Sequence, residues 1–128
     1  MAEHRWSLLC RNVIPEPEIG GNTLNGVFDE FVADKYPADF VDPRFVGTQW
    51  VGEIGEEFDQ TVVFGPVDGS SPPNVSGPTR VRFTLRGNMV IKGIQGISIE
   101  KAGPHKFTIR ADGRDVYSFT VLAKLRDS

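Results

Sequence analysis

One cysteine and two histidines stand in a chain of 128 residues, and each shortage closes off a class of function. Cys10 alone cannot build an internal disulfide framework. The opening MAEHRWSLLC has neither the long apolar core nor the small-residue cleavage site of a secretory leader, so the cytoplasm is the expected compartment. His4, Cys10 and His105 are scattered and none is at ligand spacing, so no metal, no cofactor and no catalytic set are expected. No serine or threonine occupies a nucleophile elbow, and no glycine-rich phosphate loop precedes a helix. No window approaches the ~20 apolar residues of a membrane span. A net charge of −3 argues against a nucleic-acid binder that works by bulk phosphate neutralisation. Helix-forming runs are scarce as well.

What the chain does hold is nine Phe, fourteen Gly and nine Pro. These are the ingredients of a β-protein, because Gly and Pro punctuate turns while aromatics pack on pleated surfaces. The clearest element lies near the end, GPHKFTIRADGRDVYSFTVLA from Gly103 to Ala123, where two alternating runs flank an Asp-Gly turn. Phe107 and Ile109 share one face, as do Tyr117, Phe119, Val121 and Ala123. Parity decides the turn. A two-residue loop of Asp112 and Gly113 would set Phe107 and Ile109 on the face of Val116 and Ser118, which wastes Tyr117 and Phe119. A three-residue loop, Ala111 to Gly113, sets Phe107 opposite Tyr117 and His105 opposite Phe119, with Gly113 in the left-handed position of a bulged turn. The sequence therefore predicts the three-residue loop.

Earlier in the chain, Trp6 to Arg11 reads as an interior strand, with Trp6, Leu8 and Cys10 on one face and Ser7, Leu9 and Arg11 on the other. His4 falls in a terminus expected to fray. Pro15 and Pro17 interrupt any ladder, and Gly20-Gly21-Asn22 turns the chain into a strand from Thr23 to Phe31, which pairs with the first. Asp29 to Phe45, rich in aromatics and acids and broken by Pro37 and Pro43, reads as a connection between sheets, with Tyr36-Pro37 expected trans. Val46 to Val51 is a strand with Trp50 at the centre of the core, and Thr61 to Phe64 is another. GPVDGSSPPNVSGPT reads as a loop. Arg80 to Arg86 alternates into a half-buried strand with a basic outer face, whose natural partners are the acids from Glu53 to Asp59. Met89 to Ile91 and Ile97 to Glu100 complete about eight strands. The fold expected is all-β: a single-domain antiparallel β-sandwich over residues 1–128, immunoglobulin-like in the broad sense, with about seven or eight strands and little or no helix.

The order SLLCRNV, a loop closing on GGNTLNGVFDEF, the Tyr36-Pro37 step and the closing GPHKFTIRADGRDVYSFTV resemble a family of small uncharacterised bacterial and phage proteins. The resemblance implies a β-sandwich of unknown function. It carries over no functional residue, and Arg11-Asn12 stands where acids are common in that family.

The function expected is a non-enzymatic interaction or structural module, of a phage-related or assembly-related kind, whose partner is another protein or a second copy of itself. Carbohydrate or small-ligand binding is the first alternative, and a small enzyme with no recognisable catalytic set is the second. The expected surface is the aromatic stretch, with Tyr36, Phe40 and Phe45 contributing a patch rimmed by Asp34, Asp39 and Asp42. Arg80, Arg82 and Arg86 read as a solvated face. Cys10 reads as a small apolar residue, and Glu53 to Asp59 lacks the alternating ligand spacing of a calcium loop.

Overall fold

The computed structural model describes residues 1–18 and 21–126. Among them there is no helix, and twelve strands follow one another. They are β1 Glu3–Cys10, β2 Asn12–Glu16, β3 Gly21–Asn25, β4 Glu30–Ala33, β5 Ala38–Phe40 and β6 Arg44–Val51. After these come β7 Glu57–Pro66, β8 Asn74–Arg82, β9 Gly87–Ile94, β10 Ile97–Ile99, β11 Gly103–Ala111 and β12 Arg114–Leu125. A three-stranded sheet in the order β1-β6-β9 packs on a five-stranded sheet in the order β4-β12-β11-β7-β8. Two small sheets, β2-β3 and β10-β5, complete this β-sandwich. Every pairing is antiparallel except β4 with β12.

Aromatic rings fill the space between the sheets. Trp50 of β6 meets Phe58 of β7 edge-on at 4.6 Å, and Phe64 lies 4.5 Å from Phe107. Trp50 is 1% exposed, as is Gln60, whose presence in the core is explained by one bond: the indole Nε1 donates to its Oε1 at 2.7 Å. A buried tryptophan N–H needs such an acceptor.

The hairpin corrects the expected register. The turn has two residues, Asp112 at φ 50° and Gly113 at φ 81°, and Phe107 faces Phe119 while Ile109 faces Tyr117. Parity is restored by a bulge instead of a longer loop. Arg110 pairs with Asp115, so Val116 is the extra residue that returns Tyr117 to the face of Ile109. Two successive left-handed residues match the twist of the flanking strands, which is why Asp-Gly takes this turn. His105 consequently faces Val121 rather than Phe119. The turn is also tied to β7, since Asp112 N–H donates to the Asp59 carbonyl and the Asp59 N–H donates to Asp112 Oδ1, both at 2.9 Å.

Five further expectations change. β1 pairs with β6, and the hairpin partner of β3 is β2. The stretch from Asp29 to Phe45 holds β4, β5 and the start of β6, because the left-handed Gly26 at φ 70° ends the preceding strand early. Asn74 to Thr79 belongs to β8, and Tyr36-Pro37 is cis. His4 is not frayed: it lies in β1, stacked on Tyr117 at 4.3 Å. The acids expected beside the arginine stripe are there, with Arg80 on Asp59 at 3.1 Å and Arg86 on Glu53 at 3.7 Å.

Candidate functional site

The β1–β6 ladder pairs Leu9 with Val46 and ends on Cys10 with Phe45, so Arg11 follows directly after β1 while Arg44 opens β6 opposite Ile94 of β9. Leu9 and Val46 are buried between the sheets, and by the two-residue period Arg44 belongs to that same face at the end of the sandwich, with the exposed Arg11 just beyond the end of β1. The chain leaves β1 here because the Arg11 N–H turns to the carbonyls of Asn25 and Gly26, at 3.1 and 3.2 Å. The Arg11 stem then lies over Gly26, where an added Cβ would sit 3.2 Å from the Arg11 Cβ. Close approach and a positive φ both call for glycine there.

Backbone oxygens, not carboxylates, hold Arg44. Its Nη1 donates to the carbonyls of Asp42 at 3.0 Å and Pro43 at 3.3 Å, and its Cζ lies 5.9 Å from the Phe28 ring centroid. Burial and the neighbouring positive charge of Arg11 push the Arg44 pKa down, against the opposing pull of Asp42. Among the described residues no carboxylate reaches ion-pair distance of Arg11 or Arg44, nor of the exposed Arg82 and Arg114, whereas Arg5, Arg80, Arg86, Arg110 and Arg126 each hold at least one.

The two arginines border two adjoining clefts. One, of about 240 Å³, is walled by Phe28, Phe31 and Phe40; the other, of about 480 Å³, by Asn12, Asn25 and Asp42. Glu30 borders the first, but Lys124 Nζ holds its carboxylate at 2.9 Å.

Two of the three aromatics expected to form a surface come together at this end. Phe40 is half-buried, with its ring set edgewise on Phe31 at 5.0 Å. Tyr36 is half-buried too, and its hydroxyl donates to the Lys124 carbonyl at 2.9 Å and lies 3.3 Å from that of Phe31. Burial raises the Tyr36 pKa. Phe45 is separated from them: one residue out of phase with Arg44 and Val46, it lies on the outer face of β6, between Cys10 and Gly93 in the ladder. Cys10 shares that outer face yet is 0% exposed, and burial raises its thiol pKa. The β2-β3 hairpin folds over this side of the sheet, bringing Leu24 against Gly47.

A second polar cluster was hidden from sequence reasoning. His4 Nε2 lies 2.8 Å from Ser7 Oγ, which lies 2.9 Å from Thr48 Oγ1. Residues three apart on a regular strand point to opposite faces, but the register shifts between His4 and Trp6, and that bulge brings His4 and Ser7 to one side. Trp50 meets the His4 ring edge-on at 5.5 Å and Tyr117 covers a face. Burial lowers the His4 pKa. Among the described residues no acid is bonded to the other ring nitrogen, so the arrangement lacks the orienting third group of a nucleophilic triad. His105 is 4% exposed and stacked on Phe64 at 5.5 Å. Its Nδ1 lies 3.0 Å from the Gly103 carbonyl, which can only accept, so Nδ1 carries the hydrogen. Among the described residues no group of three His, Cys, Asp or Glu side chains gathers around a point, and no helix is long and apolar enough to cross a membrane.

No protein-family model matches the sequence, and neither does any curated protein. The fold is similar to part of the crystal structure of a β-glucosidase from Listeria innocua in complex with glucose, with a TM-score of 0.55 and 11% identity. The match covers 95% of this chain and 16% of that one. The likeness is therefore one of fold, to a small portion of a much longer protein.

Proposed function

We propose that this chain is a non-catalytic interaction module that docks on another protein through the end of the sandwich holding Arg11, Arg44, Phe28 and Phe40. The observation that carries this reading is the arginine pair left without a carboxylate beside half-buried phenylalanines. Arginine and aromatic residues are what the centres of protein interfaces concentrate, within a polar rim. Asn12, Asn25, Asp39 and Asp42 supply that rim. Tyr36 supports the surface from below by fixing β4 and β12, and Phe45, on the outer face, belongs to a separate contact. An architecture that is immunoglobulin-like in the broad sense, a phage-related or assembly-related role, self-association and a cytoplasmic setting are parts of the same proposal. Carbohydrate binding is less well supported, because Phe31 and Phe40 meet at 62° and offer no flat platform for a sugar ring.

The reading is tested by partner capture and self-association with Phe40→Ser and Arg44→Gln. Both variants are expected to lose the interaction while keeping a cooperative thermal transition. Retention of the interaction in both would overturn the site. An ester- or glycoside-hydrolysing activity abolished by Ser7→Ala would overturn the non-catalytic reading in favour of the His4–Ser7 pair.

A further inference from the structure

We propose that the Arg11–Arg44 pair is a receptor for a single carboxylate, the side chain of an acidic residue on the docking partner. This deepens the docking reading and rests on it. Arg11 and Arg44 line the same two clefts, and like charges held that near each other work against the fold. A chain with seventeen acidic residues has the means to relieve such a pair, as it pairs Arg80, Arg86, Arg110 and Arg126; Arg82 and Arg114 also lack a carboxylate, but both are exposed, whereas Arg44 is half-buried. At Arg44 neutral carbonyls do the holding instead: they fix the guanidinium without cancelling its charge. Only Nη1 is engaged, which leaves Nη2 and Nε as donors. Among the described residues no buried side-chain nitrogen or oxygen lacks a partner, so these donors are not sealed in, and Arg44 lines both clefts. A planar guanidinium with two unengaged donors at the wall of a cleft is the group that receives a carboxylate through two parallel bonds.

Charge fixes the class of ligand further. Arg11 and Arg44 bring two positive charges to the clefts and Asp42 one negative, while Glu30 is matched by Lys124. One positive charge is left over. A monoanion neutralises it, whereas a phosphate monoester, carrying ≈ −1.5 to −2 at pH 7, leaves Asp42 facing excess negative charge. The neighbouring wall of Phe28, Phe31 and Phe40 accepts an apolar residue next to the acid.

The test uses the full chain with its arginine Nε–H groups followed by NMR. The probes are the capped peptides acetyl-Ala-Phe-Glu-Ala-amide and acetyl-Ala-Phe-Gln-Ala-amide, with inorganic phosphate as a third. The Glu peptide is expected to shift the Arg11 and Arg44 signals saturably, and the Gln peptide to bind about tenfold more weakly or less, the loss that follows from removing one charge-assisted contact. Arg11→Gln should weaken the Glu peptide by a similar factor while leaving the thermal midpoint unchanged or higher, because it removes a repulsion. A midpoint that falls steeply in Arg11→Gln, equal binding of both peptides, or saturation by phosphate alone would each overturn the carboxylate receptor. Glu-selective binding together with partner capture that survives Phe40→Ser would leave the receptor standing and remove the docking reading. Capture lost in Phe40→Ser but kept in Arg11→Gln would do the reverse.

Discussion

His4 shows how much one inserted residue decides. The β1 bulge at Arg5 carries the imidazole to the side of Ser7 and Thr48, where the hydroxyls form a short chain and Trp50 and Tyr117 shield the ring. Burial lowers the folded-state pKa below the ordinary 6.5, so the unfolded chain binds a proton that the folded chain refuses. Stability from this group is therefore complete above about pH 6.5 and is lost as the pH falls from there toward the folded value. Thermal midpoints measured between neutral pH and pH 5 should fall more steeply in the native sequence than in His4→Gln. Parallel curves for the two proteins would show that the ring is solvated and that its stacking on Tyr117 is not maintained. Nothing in MAEHRWSLLC signals that bulge, because a bulged strand and a regular one share the same composition; the histidine could be seen, but its face could not.

At the scale of elements, the β11–β12 hairpin separates what the sequence encodes locally from what it does not. The alternation of Phe107 and Ile109 against Tyr117, Phe119, Val121 and Ala123 is correct as to which residues share a face, since each strand carries its own period. The rung on which they meet is not local. A three-residue loop and a two-residue loop with a bulge both satisfy parity, and the choice falls to the twist match of Asp112 and Gly113 and to the ties with Asp59, which no period in the sequence records. Phe107 is 0% exposed, flanked by Phe64 on one side and Phe119 on the other. Phe107→Ala should therefore cost about 3 to 5 kcal/mol in denaturant unfolding, a large share of a small domain's stability. A loss below about 1 kcal/mol would mean that the two sheets close over the gap.

On the scale of the whole molecule, the sandwich was legible because Phe, Gly and Pro are distributed as strands and turns require, and Trp50 stood out as a core residue. The candidate site was legible only in part. Tyr36 and Phe40 could be found from the apolarity of their segment, but Phe45 sits on the wrong parity to join them, and Arg11 and Arg44 are far apart in sequence. The β1–β6 pairing brings the ends that carry the two arginines to the same clefts, and an isolated arginine in a β-rich chain gives no sign of what long-range pairing sets beside it. The bulge at Val116 carries a consequence for solubility. β4 covers β12 only along Leu122–Leu125, so among the described residues Arg114 to Val121 have no strand on their second side. An exposed run of backbone donors and acceptors invites another chain to add itself, and a bulge that bends the strand breaks the straight template such growth needs. Deleting Val116 would give an unbroken ladder that still sets Ile109 opposite Tyr117 and leaves the core faces unchanged. The deletion variant should fold, yet elute as larger species than the parent chain at equal concentration in light-scattering chromatography; equal masses for the two would show that this edge is guarded by something other than its bend.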